Sequence, residues 1–135
     1  MRYLLDTNVL SDARRRTHPE LNEWIAGQPR TSLSISVVTL LELERGVLRL
    51  ERRDFHAGMH LRSWLTDIAT AFSGSVLAVD EHVACYAARL HVPDPMPEMD
   101  ALIAATALQH ELTLVTRNIR DFQSSGVNLL DTSAL

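Results

Sequence analysis

The chain has 135 residues, 46% of them hydrophobic, which fits one globular domain spanning residues 1–135. Its single cysteine, Cys85, excludes a disulfide within the chain, and no apolar run approaches the roughly 20 residues of a membrane helix. Seventeen acids stand against 13 bases, all of them arginine, and the resulting net charge of −4 counts against a generic nucleic-acid binder.

The apolar triplet Tyr3-Leu4-Leu5 reads as a short buried strand. Asp6 interrupts this apolar start, so no secretion signal is expected and the chain is expected in the cytoplasm. Val9–Arg16 reads as a helix, with Thr7 or Asn8 able to cap it. Pro19 suits the first turn of a second helix, Glu20–Ala26, which Gly27 would end. Leu33–Val38 is alternating and β-branched, the pattern of a second strand. Thr39–Arg53 reads as a helix with Leu40, Leu43, Val47 and Leu50 on one stripe. Phe55–Phe72 is another helix, ended by Ser73-Gly74-Ser75 and apolar enough to join a partner interface. Val76–Val79 is a third strand, after which Asp80 caps a helix, Glu81–His91. Cys85 lies in that helix and is expected to be a small buried apolar residue.

Three prolines between Val92 and Pro97 rule out a helix there and make a stiff loop that delivers the chain to Asp100. Ala101–His110 is an alanine-rich helix able to pack closely on a sheet. Leu112–Val115 is a fourth strand, a turn follows around Asp121-Phe122, and Val127–Leu130 is a candidate edge strand. Strands separated by helices imply an α/β fold, a three-layer α/β/α sandwich with a short parallel sheet of four to five strands.

Four acids then stand out, because each lies where a strand gives way to something else: Asp6, Glu42, Asp100 and Asp121. The C-terminal ends of parallel strands converge on one edge of the sheet, and ligands bind there. Clustered carboxylates would need a cation, and oxygen ligands suit Mg²⁺ or Mn²⁺. Each acid also has an ordinary role open to it. Asp6 would serve as a helix cap, Glu42 and Asp100 sit in first helical turns favoured by the macrodipole, and Asp121 sits in a turn. Asp80 likewise follows a strand and reads as a plain cap, so strand-end position alone does not choose four.

The local sequences choose. Met1-Arg2-Tyr3-Leu4-Leu5-Asp6-Thr7-Asn8-Val9-Leu10 resembles the opening of a PIN domain. The stretches Ile35–Gly46, Pro97–Ala105 and Leu114–Phe122 are similar to that family's second, third and fourth motifs, with the acids at Glu42, Asp100 and Asp121. The four occur in order over nearly the whole chain, and the likeness is to VapC-type toxins of type II toxin–antitoxin pairs, in the FitB-like branch. Glu111 stands where a helix-ending glycine is usual, and the C-terminus lacks the branch's Asn-Pro-Trp ending.

The resemblance implies a Mg²⁺- or Mn²⁺-dependent endoribonuclease with Asp6, Glu42, Asp100 and Asp121 as catalytic and metal-holding residues. It also implies a homodimer, with no membrane attachment, held inactive by a small VapB-like antitoxin whose tail fills the acidic pocket. Thr7, Asn8, Thr116 and Asn118 flank the acids and are candidates to orient carboxylates or water, or else caps and turn residues. Arg45, Arg49 and Arg117 are candidates to hold RNA phosphates, with Arg52 and Arg53 extending that side; for the Arg14–Arg16 cluster a solvated helix face is the plainer reading. His56 and His60 are spaced i, i+4 but lack the rest of a zinc motif, and Trp24, Trp64 and Phe72 read as core or dimer contacts.

Other classes fit worse. A receiver-type phosphotransfer domain needs a lysine, and the chain has none. A haloacid-dehalogenase-like phosphatase needs a second aspartate where Asn8 stands. A non-catalytic PIN-like binding module is the alternative function.

Overall fold

The computed structural model describes all 135 residues. Five strands form one parallel sheet: β1 (Tyr3–Leu5), β2 (Leu33–Ser36), β3 (Val76–Leu77), β4 (Thr113–Thr116) and β5 (Leu129–Asp131), in the order β3-β2-β1-β4-β5. The helices are α1 (Thr7–Arg15), α2 (Pro19–Gly27), α3 (Val37–Arg53), α4 (Phe55–Ala71), α5 (Glu81–Leu90), α6 (Glu98–Gln109) and the one-turn α7 (Ile119–Phe122). The three-layer parallel α/β/α architecture expected from the sequence is the one observed.

The pleat sends neighbouring strand residues to opposite faces. Leu5 and Val115 enter a core with Val9, Leu10, Leu21, Leu43, Val47 and Leu65, under α1 to α4. Leu4 and Leu114 enter a second core with Ile103, Ala104, Ala107 and Phe122, under α6 and α7. Leu4, Leu5, Leu114 and Val115 are wholly buried, each contributing about 2 kcal/mol of apolar transfer. Val83 and Ala87 of α5 pack on Ala101 and Ala105 of α6, so that layer is closed by small residues.

Several element boundaries differ from expectation, for reasons of capping. Asp6, rather than Thr7 or Asn8, is the N-cap of α1 and accepts from the Thr7 amide, so the helix begins two residues early. Ser36 accepts from the Val38 amide at 3.0 Å, which moves Val37 and Val38 from strand to helix. Pro97 precedes α6, which starts at Glu98, so Asp100 lies within its first turn. Residues 121 and 122 are helical rather than a turn, and β5 begins at Leu129 rather than Val127. Asp80 caps α5 as expected, through the Val83 amide.

Cys85 is exposed, contrary to expectation. The buried stripe of α5 is Val83 and Ala87, spaced i, i+4, and position 85 points away from it. Trp24 and Trp64 pack at the border of the first core, and Phe72 lies within it. The α3–α4 pair is drawn tight at Gly58, where an added Cβ would stand 2.6 Å from Glu51 Cα. Arg62 spans the same pair, reaching Glu44 at 2.7 Å and Glu51 at 3.1 Å.

Candidate metal centre

The sheet order reverses beside β1, whose neighbours β2 and β4 are reached by crossovers leaving in opposite directions. Such a switch point opens a crevice at the carboxyl ends of the strands. Asp6 leaves β1 at this point, and Thr116 ends β4 beside it.

Asp6 is 5% exposed, and its carboxylate is held by three donors. Oδ1 accepts from the Thr7 amide at 2.8 Å; Oδ2 accepts from Thr116 Oγ1 at 2.8 Å and Asn8 Nδ2 at 3.0 Å. Thr116 in turn accepts from the Asn118 amide at 3.0 Å. Thr7, Asn8, Thr116 and Asn118 therefore join one network around Asp6.

Glu42 enters from α3, where its Oε1 accepts from Thr7 Oγ1 at 2.6 Å. The Thr7 hydroxyl also lies 3.0 Å from Thr39 Oγ1. Thr7 has one hydroxyl proton. With that proton on Glu42, the Thr39 hydroxyl is the donor to Thr7. Thr39 is wholly buried and was missed by sequence reasoning. Its only signal was a hydroxyl three residues before Glu42, hence on the same helical face.

Asp100 is half-buried in the first turn of α6, and Asp121 is exposed on α7. Burial pushes the Asp100 carboxyl up from the usual 3.8 to about 6, helped by the charges of Asp6, Asp121 and Glu42. Burial likewise raises the Asp6 carboxyl, against its hydrogen bonds, and the Glu42 charge adds to the rise. All four acids thus act on one region of space. None forms an ion pair with a basic side chain.

No three carboxylate, imidazole or thiolate groups stand close enough to hold one ion directly. Oxygen donors of this kind are those that hard cations such as Mg²⁺ take, often with several waters kept.

The candidate phosphate-holding arginines divide. Arg49 lines a cleft of about 470 Å³ that opens from Thr7 and Glu42, together with Arg14, Arg15 and Arg53. Arg45 is exposed outside it. Arg117 is engaged with Asp12 at 2.6 Å. His56 and His60 are exposed on α4 and belong to no group of three metal-ligating side chains.

Comparison with known proteins follows the same lines. The PIN domain profile matches residues 3–125. Toxin FitB of Neisseria gonorrhoeae is 35% identical over 134 residues, covering 92% of this chain and 93% of that protein. Ribonuclease VapC14 of Mycobacterium tuberculosis is 40% identical over 68 residues, 50% of this chain and 66% of that protein. In the crystal structure of FitAcB from Neisseria gonorrhoeae, a chain with 30% identity superposes with a TM-score of 0.89, covering 98% of this chain and 99% of that one.

Proposed function

The chain belongs to the PIN-domain family, and from that membership we propose that it is a Mg²⁺- or Mn²⁺-dependent endoribonuclease, the toxin of a toxin–antitoxin pair acting in the cytoplasm. The observation that carries the reading is uncompensated negative charge: four acids from four segments face one region without an ion pair, and burial together with the charges of Asp6, Asp121 and Glu42 pushes the Asp100 carboxyl up. Such a cluster fits a divalent cation and little else of that size. Asp6, Glu42, Asp100 and Asp121 would hold it, in part through water.

When bound, the cation lowers the pKa of a neighbouring water and offsets charge on the phosphodiester. The chain's own residues do the rest. Thr116, Asn8 and the Thr7 amide fix the Asp6 carboxylate in one orientation. Thr7 and Thr39 do the same for Glu42. A carboxylate of the set left free by the cation would orient or deprotonate the attacking water. The water oxygen bonds to phosphorus, the bridging P–O bond breaks, and a proton passes to the leaving oxygen.

Partners follow from the relatives. Solved neighbours include FitAB bound to a DNA fragment, at 27% identity. By the likeness to toxin–antitoxin pairs, a small antitoxin would inhibit this chain by placing an arginine of its tail among the four acids. The exposed apolar residues Val37, Leu41 and Val79, beside Met99 and Leu102, offer a surface for a homodimer. The test is RNA cleavage with Mg²⁺ or Mn²⁺, then with chelator, then by Asp6→Asn. Loss of cutting in both controls is expected. Cutting that survives both refutes the metal mechanism, and no cutting under any condition leaves the non-catalytic module.

A further inference from the structure

The cleft beside the acids has two helical walls, and each begins at the acid end. Along α1 the lining includes Thr7, Ser11, Arg14 and Arg15; along α3 it includes Glu42, Gly46, Arg49 and Arg53, with Leu43 and Leu50 between them. These spacings of about four and three residues keep each set on one helical face. Leu61 and Trp64 of α4 close the floor. Arg49 lies about 10 Å along the helix axis from Glu42, and Arg53 about 16 Å.

Two facts about this cleft go unexplained by folding. The first is charge. Arg49 and Arg53 form no ion pair, Arg14 has only the Trp64 ring at 5.8 Å, and Arg15 has only Asp12 at 3.7 Å. Four guanidiniums in one cleft repel unless an anion joins them. The second is Gly46. It lies inside a 17-residue helix, where glycine is disfavoured relative to alanine. A Cβ built there would meet nothing within 4 Å, so packing within the chain does not require a glycine. Gly58, where a Cβ would collide with the neighbouring helix, shows the contrast.

We propose that the cleft between α1 and α3 is the track for the RNA strand on one side of the scissile phosphate, with its sugar–phosphate backbone lying against Gly46. The arginines supply bidentate partners for successive phosphates, and Leu61, beside the Trp64 ring that Arg14 overlies, offers an apolar border to a ribose. This inference rests on the ribonuclease reading.

The test uses Asp6→Asn protein with Mg²⁺ as the common background, and a fluorescent single-stranded RNA of about ten nucleotides. Affinity is measured across a salt series. Adding Arg49→Gln and Arg53→Gln should weaken binding at least tenfold. It should also lower the slope of log affinity against log salt by about 1.4, near 0.7 per lost phosphate contact on a single strand. Adding Gly46→Ala should leave melting unchanged or higher while weakening binding several-fold. If wild-type protein cuts RNA but these variants keep its affinity and slope, the track is refuted and the nuclease reading stands. If they instead weaken only binding of a co-expressed protein partner, the cleft is a protein groove and the proposal is overturned. If wild-type protein neither binds nor cuts RNA, the ribonuclease reading fails first and the track falls with it.

Discussion

Replacing Asp100 by asparagine removes one of four like charges while preserving size. At a pH of about 7.5, without metal, the wild-type carboxyl is ionised in the folded chain although its folded-state value is about 6 against an ordinary 3.8. At 1.36 kcal/mol per tenfold, that gap bounds the cost at about 3 kcal/mol. Asp100 is half-exposed, and solvent screening reduces the figure to about 1 kcal/mol. The folded acid binds its proton more tightly than the unfolded one. The contribution of Asp100 to stability is therefore greatest below the ordinary value and is lost as pH rises from about 4 to about 6. Asp100→Asn escapes that loss. In chelator it should melt about 4 °C above wild type at the higher pH, and the gain should vanish toward pH about 4. Mg²⁺ should raise the melting point of wild type and do little for the variant. Calorimetric melts over a pH series, with chelator and with Mg²⁺, provide the measurement. A variant that melts below wild type at pH about 7.5, or that gains equally at both pH extremes, would show that the site does not carry strained negative charge.

Thr116→Val should cost about 2 kcal/mol in urea unfolding, because the buried Asp6 Oδ2 loses its 2.8 Å donor. The loss should shrink at acidic pH as Asp6 takes up its proton, and Thr116→Ser should restore most of it. Gly58→Ala should destabilise by about 2 kcal/mol, since a Cβ 2.6 Å from Glu51 backbone outweighs the helical gain of about 1 kcal/mol. Gly46→Ala should stabilise by that helical gain; equal signs for the two alanines in thermal melts would contradict the packing described. Glu111 has φ 56°, with the Leu112 amide donating to Ala107 O at 2.8 Å, the turn that commonly ends a helix on glycine. Glu111→Gly should stabilise by about 0.5 kcal/mol, relief of about 1 kcal/mol of strain less the added freedom of the unfolded chain. Urea titration reads this directly, and a loss of stability would refute it.

The sheet and most helices are legible because Leu4-Leu5 and Leu114-Val115 are short apolar runs, and because α3 carries a clear stripe. Their edges were less so. Asp6 and Ser36 each end a strand and cap the next helix, a double role that propensity cannot divide. Cys85 was misplaced because a helix of alanines leaves its buried face ambiguous until α6 packs on Val83 and Ala87. The acids were chosen by motif. Without that likeness Asp80 and Asp6 look alike, each after a strand and each bonded to a backbone amide. Only the fold gives Asp6 the Thr116 hydroxyl, 110 residues away in sequence. Thr39 had no local signal strong enough to distinguish it from any buried threonine. Arg45 and Arg117 were plausible from their nearness to motif acids, yet one faces solvent and the other is tied to Asp12.

Because Glu42, Gly46, Arg49 and Arg53 share one unbroken helix, the offset between the acidic and basic halves is set by covalent pitch and not by a hinge. The helix is a ruler: one residue inserted after Gly46 would swing both arginines by about 100° and advance them about 1.5 Å, leaving the acids untouched. In the proposed nuclease, distance from the cut to its anchoring charges would thereby be written into chain length.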